Sequence, residues 1–221
     1  MLKLNLRKIN NVLLIVVVAV NLYVIIVPFW PQILFHFQQS QGKQQTLEDS
    51  LHKGKITIPL PSPGAKPTST APTPSPSQSS AAGAPKSQGN RVVIPSMLLD
   101  QPIIEDTSVY RALDKGVWRW PGGSTPDQGG NTVLVGHRFT YTKPKGVFYF
   151  MDKVHLQDTV GVKWDGRTYI YRVNNTQVVP PTQTSILDPT EQPTLTMYTC
   201  TPLWLPKNRL VVTAILESIS E

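Results

Sequence analysis

Cys200 is the one cysteine among 221 residues, and it closes the run Thr196-Met197-Tyr198-Thr199-Cys200. Arg209 stands nine residues later, at the opening of the next apolar run. A thiol attacks as its thiolate, and with an ordinary pKa near about 8.5 it needs electropositive surroundings to do so at neutral pH. An imidazole supplies a proton-exchange partner and, once protonated, stabilises the thiolate. His137 offers one, inside Val133-Leu134-Val135-Gly136-His137-Arg138. Acyl transfer also gathers negative charge on the former carbonyl oxygen, which a guanidinium or backbone N–H groups stabilise. Cys200, His137 and Arg209 meet these three needs by type. Other readings stay open at this point: a lone cysteine is also a buried inert residue or an intermolecular bridge, His137 a core histidine, and Arg209 a strand-surface residue. Arg138 is a rival cation beside the imidazole. His155, in Lys153-Val154-His155-Leu156-Gln157-Asp158, is the other histidine of the same region and reads as an exposed turn approach.

The elements that must position these residues read as β. Asn90–Glu221 is long enough for one domain with a substantial core. Val92–Ile94 and Ile103–Ile104 are short apolar pieces, and Thr132–Val135 is a buried-strand run. Val160–Trp164 and Arg167–Val173 flank Asp165-Gly166, a two-residue hairpin signal. Val178–Val179 precedes Pro180-Pro181, which must end a ladder. Leu195–Thr199 and Leu210–Leu216 are the last two strands, and Gly146–Lys153 has room for a turn or two of helix. Short strands with turn signals between them suggest a closed barrel or a sandwich. Pairing the strand before Cys200 with the one after Arg209 would bring both side chains to one end of the sheet.

Upstream the composition changes twice. Lys3, Arg7 and Lys8 precede an apolar segment, Asn11–Trp30, whose one strongly polar interior residue is Asn21. Twenty residues at about 1.5 Å each span a hydrocarbon core of about 30 Å. The basic residues before it keep the N-terminus cytoplasmic and export the rest. A cleaved signal peptide is the rival, but Pro28-Phe29-Trp30-Pro31 suits an interfacial belt better than a cleavage site. Residues 1–37 are therefore expected to form a cytoplasmic tip and single-pass anchor, and residues 38–89 a polar stem and flexible linker. Residues 59–88, dense in Pro, Ser and Thr, hold almost no large apolar residue after Leu60 and so too little apolar surface to order themselves. At about 3.1 Å per residue they would reach up to about 90 Å as a stalk. Within the stem a short helix through Thr46–His52 is an option. The formal charge of +7 is carried mostly here: residues 1–89 hold eight Lys/Arg and two Asp/Glu, residues 90–221 thirteen and twelve. The domain is almost neutral, so nucleic acid is not indicated as a partner.

Together these motifs resemble the sortases, the cysteine transpeptidases of bacterial cell envelopes, with a pattern like that of classes D, E and F. Thr196-Met197-Tyr198-Thr199-Cys200 is similar to their T-L-x-T-C signature with Met for Leu, a volume-conserving change. Gly136-His137-Arg138 is similar to their G-H-R, and Asn208-Arg209-Leu210-Val211-Val212 to their arginine strand. Gly116-Val117-Trp118-Arg119-Trp120-Pro121-Gly122, followed by Gly129-Gly130-Asn131, resembles the lead into the histidine strand. The resemblance implies an all-β, eight-stranded barrel with short helical turns over residues 90–221, behind the transmembrane helix and a disordered linker. It implies that Cys200 attacks an LPXTG-like sorting signal of a secreted protein, that His137 moves the proton, and that Arg209 holds the oxyanion. Thr199 would help through its place beside the thiol, and an amine on the cell wall or a pilin would take the acyl group. No cofactor or metal is expected; Glu105-Asp106, the domain's adjacent acidic pair, reads as a solvated turn. Papain-like peptidases place Cys before His, and L,D-transpeptidases place Arg directly after a Gly-Cys motif; neither order occurs here. A non-catalytic β-module on a stalk, binding sorting signals, is the competing class.

Overall fold

A computed structural model describes residues 6–52, 89–140 and 145–220. The proline-rich stretch at 59–88 lies outside the described residues. The chain divides into two compact units, Met1–Lys43 and Gln44–Glu221. The first holds α1 (Leu6–Ser40). Its 19 residues Ile9–Val27 are long and apolar enough to cross a membrane, a stretch that starts and ends slightly before Asn11–Trp30. Asn21 satisfies its own amide by donating to the Val17 carbonyl at 2.8 Å, one turn back along the helix.

The second unit is an eight-stranded closed barrel with a short helix docked on it. The strands are β1 (Arg91–Ile94), β2 (Leu99–Ile104), β3 (Val117–Arg119), β4 (Asn131–Val135), β5 (Thr159–Trp164), β6 (Arg167–Val179), β7 (Thr194–Thr201) and β8 (Asn208–Ser220). Their order around the barrel is β1-β2-β3-β4-β7-β8-β6-β5, closed by β5 pairing with β1. Two neighbouring pairs are parallel, β2 with β3 and β4 with β7. All five residues of β4 are buried, which fits a strand covered on both faces. Leu195 and Met197 of β7 and Val212 and Ala214 of β8 are fully buried in the core. Tyr171 of β6 hydrogen-bonds Thr132 of β4 across the interior, and burial pushes its phenol far above the ordinary range.

Several local signals act as expected. Asp165 and Gly166 take φ of 46° and 83°, the left-handed pair that a two-residue hairpin needs to match strand twist. β6 ends at Val179, directly before Pro180-Pro181. A 3₁₀ turn forms at Met151–Lys153 within Gly146–Lys153. Other elements differ from the sequence pattern. β6 is one strand of 13 residues rather than two pieces, carried through the exposed polar run 174–177 by register shifts at Ile170/Tyr171 and Val173/Asn175. The seven-residue α3 (Val109–Lys115) and the three-residue β3 are too short to show a hydrophobic period.

Residues expected in the stem also fold. The helix α2 (Lys43–His52) lies almost wholly in the barrel unit. Leu51 is 2% exposed and packs on Val93 and Ile170, with Leu47 beside it. Gly161, inside β5, is the socket: a Cβ there would stand 2.2 Å from Leu51 Cδ2. Leu51→Ala is expected to lower stability by about 2–3 kcal/mol. Gly161→Ala, which expels the same side chain, should cost no more than that. Urea unfolding of the two single variants and their combination checks this: the combined loss should fall well short of the sum.

Candidate active site

The parallel pairing of β4 and β7 runs from Asn131↔Thr194 to Val135↔Tyr198, so both strands end at the same rim of the barrel. His137 follows β4 by two residues, and Cys200 follows Tyr198 by two. β8 returns antiparallel to β7, with Arg209 directly opposite Cys200 and Asn208 opposite Thr201. Directly paired residues share a face with Cβ atoms about 4.5–5.5 Å apart. Cys200 and Arg209 thus stand side by side at the rim that also carries His137. Cys200 is a free, half-buried thiol.

Arg209 donates to the Asn208 carbonyl at 3.2 Å and makes no other hydrogen bond or ion pair with a described residue. Its guanidinium stands close enough to Tyr198 to oppose the effect of burial, which pushes that phenol up; the Cys200 thiol adds to the rise. The phenol is therefore a neutral hydroxyl across the ordinary pH range. His137 is half-buried and lines a cavity of about 190 Å³ with Asp114, Lys115, Lys145 and Val147.

The competing residues are placed elsewhere or committed. Arg138 is 11% exposed and donates to Tyr149 O, Thr201 Oγ1 and Asp152 Oδ1. His155 is exposed in the turn before β5, where its backbone N–H donates to Asp158 at 2.9 Å. The Glu105 carboxylate accepts from Arg119 at 2.7 Å and Asp106 from Arg111 at 2.8 Å. The Arg111 hydrogen bond, aided by the Ser108 N–H, holds the Asp106 carboxyl below its ordinary range. Thr199 is 2% exposed, and its hydroxyl donates to the Gly136 carbonyl at 2.8 Å. Side chains alternate along a strand, so that hydroxyl lies on the face opposite Cys200.

A second cavity, of about 270 Å³, opens on the Cys200 face of the same strands. Asn131, Thr194, Thr196 and Thr213 form its floor, and Gln183 to Thr190 of the β6–β7 connection form its wall. Asn131 pins this wall. Its Nδ2 donates to the carbonyls of Ile186 at 3.1 Å and Asp188 at 2.9 Å, while its buried Oδ1 has no partner among the described residues. Sequence reasoning did not single out Asn131 for this, nor Arg138 as a clamp. The available signal for Asn131 was a polar residue opening a buried-strand run, since a buried amide must find partners. Asn131→Ala should cost about 1–3 kcal/mol by stranding two carbonyls. Hydrogen exchange at residues 183–188 should rise sharply, with β4 and β7 still protected.

Comparison with known proteins points one way. The family model described as the Sortase domain matches residues 92–217, more than half of the chain. Sortase SrtE1 of Streptomyces coelicolor is 30% identical over 134 residues, covering 54% of this chain and 37% of its own. Sortase D of Bacillus subtilis is 31% identical over 110 residues, covering 49% and 52%. The chain thus spans about half or less of the curated relatives that it matches. Among solved structures, sortase C-1 from Actinomyces oris superposes with a TM-score of 0.53 at 32% identity, over 58% of this chain and 72% of that one. Sortase C2 of Group B Streptococcus pilus island 1 gives 0.52 at 31%, over 58% and 73%.

Proposed function

Because the chain belongs to the sortase family, we propose that it is a membrane-anchored cysteine transpeptidase acting on an LPXTG-like sorting signal. The Cys200 thiolate attacks the main-chain carbonyl of the signal's Thr. The peptide C–N bond breaks, His137 gives its proton to the leaving amine, and a thioester remains on Cys200. His137 then takes a proton from an incoming amine, which attacks the thioester; the C–S bond breaks and the Cys200 thiolate is regenerated. Water in place of the amine gives slow hydrolysis. Arg209 holds substrate carbonyls and the oxyanion with its planar fork. Thr199 supports the thiol from behind, through its bond to Gly136.

The observation that carries this reading is the direct pairing of Cys200 with Arg209 at the rim where β4 leads into His137. The cavity floored by Thr194 and Thr196 extends the same strand face away from the thiol and suits an extended peptide. The substrates are secreted proteins bearing sorting signals, and the acceptor is an amine on cell wall or pilin. α1 anchors the chain in the cell membrane, with Lys3, Arg7 and Lys8 holding the N-terminus in the cytoplasm and residues 90–221 outside it.

Mass spectrometry of the thioacyl adduct on a sorting-signal peptide library tests this and reads out the motif. Cys200→Ala and His137→Ala should abolish the adduct with the fold intact, and His155→Ala should leave it unchanged. Arg209→Lys should lower its rate about 100-fold or more, since a point charge does not replace the fork. An adduct formed normally by Cys200→Ala would sink the mechanism.

A further inference from the structure

Backbone pairing between β4 and β7 runs out just before the chemistry begins. Beyond the ladder, Gly136 N–H donates to the Tyr198 carbonyl at 3.4 Å. Carried on residue for residue from Val135↔Tyr198, the register sets Gly136 against Thr199, His137 against Cys200 and Arg138 against Thr201. Side chains bond across the rungs on either side of His137 and Cys200. On one side of the His137–Cys200 rung, Thr199 Oγ1 donates to Gly136 O at 2.8 Å. On the other, Arg138 Nη1 donates to Thr201 Oγ1 at 2.9 Å.

We propose that Arg138 is a positioning residue that holds His137 in register with Cys200. The proposal rests on those two residues being the proton carrier and the nucleophile. Arg138 ties three segments together through its side chain. Besides Thr201, its Nε donates to Tyr149 O at 3.3 Å and its Nη2 to Asp152 Oδ1 at 2.8 Å. Those two partners belong to the segment whose start already holds the histidine's main chain: Phe148 N–H donates to His137 O at 3.0 Å and Gly146 N–H to Arg138 O at 3.1 Å. The guanidinium therefore links the histidine segment, through its own side chain, to the end of the nucleophile's strand.

Arginine is the side chain suited to this. Its rigid fork serves three acceptors in different directions, which a single ammonium does not. Thr201 lies one residue past Cys200, on the opposite strand face, so the clamp works from behind the sheet and leaves the thiol's face clear. The commitment of all three nitrogens also distinguishes it from Arg209, the cation left to meet substrate.

The test compares Arg138→Lys, Thr201→Val and Thr201→Ser in the full chain, with two readouts. One is the rate of Cys200 alkylation by iodoacetamide against pH; the other is kcat and KM for thioacyl formation on a Leu-Pro-X-Thr-Gly peptide. Among the described residues the charged and titrating groups near the pair, besides Arg138 itself, are Asp114 and Lys115 of α3, Lys145, Tyr198 and Arg209, and the threonine variants alter none of them. Arg138→Lys and Thr201→Val should lower kcat about 10- to 100-fold, the scale of a small misplacement of reacting groups. KM should change little, and the alkylation–pH curve should move toward that of a thiol without its imidazole. Thr201→Ser, which keeps the hydroxyl, should restore both. Should Arg138→Lys fail to fold, the valine–serine pair at 201 decides alone. A wild-type chain that forms no adduct at Cys200 overturns the underlying reading. A wild type that forms it, with Arg138→Lys and Thr201→Val matching its kcat and pH curve, overturns the positioning role alone.

Discussion

The parallel pairing of β4 with β7 decides where chemistry can stand in this barrel. Parallel neighbours end at the same edge, and no tight turn can join them. The chain meets that demand by making the β5–β6 hairpin between them and closing the barrel through β5 on β1. β8 then returns antiparallel from the rim, so its first residues lie beside the last residues of β7. Cys200, Arg209 nine positions on and His137 far upstream are drawn to one edge by two pairing rules. Neither rule depends on the identity of the residues delivered.

The same strands carry much of the buried polarity. Asn131, Thr132, Thr194, Thr196 and Thr199 are all nearly inaccessible, in β4 and β7 alone. Groups removed from water need partners, and those partners tie the two strands to their surroundings. Thr132 reaches Tyr171 across the interior, Thr199 reaches Gly136, and Asn131 reaches the connection that walls the groove. Satisfying the core and shaping the site are therefore done by one set of hydrogen bonds. Polar substitutions deep in these strands act on both at once.

Much of this was legible in the residues, because the strongest signals are local. Alternating and continuous apolar runs marked most strands, Asp165-Gly166 marked the hairpin, and Pro180-Pro181 marked the end of β6. The pairing of the Cys200 and Arg209 strands followed from one intervening loop. What stayed hidden depends on contacts between distant segments. The polar run 174–177 reads as a loop until β8 is there to pair with it. A helix through Thr46–His52 was legible as an option, but its docking was not, because only the missing side chain at Gly161 gives Leu51 somewhere to go. Arg138 reads as a second candidate cation until Thr201, Tyr149 and Asp152 are seen around it.

The seat of α2 has a mechanical consequence. Leu51 grips β1, β5 and β6 through Val93, Gly161 and Ile170. Ile170 is nine residues along β6 from Val179, the residue paired with Arg209. At about 3.3 Å per residue, that is about 30 Å of strand between grip and rim. Tension along the polypeptide on the N-terminal side of α2 enters the barrel at this wall, and β1 begins at the same wall. β8 runs the whole of that distance, from Ser218 opposite Ile170 to Arg209 at the rim. A pull on the chain before α2 would meet this end of the barrel before it met the rim.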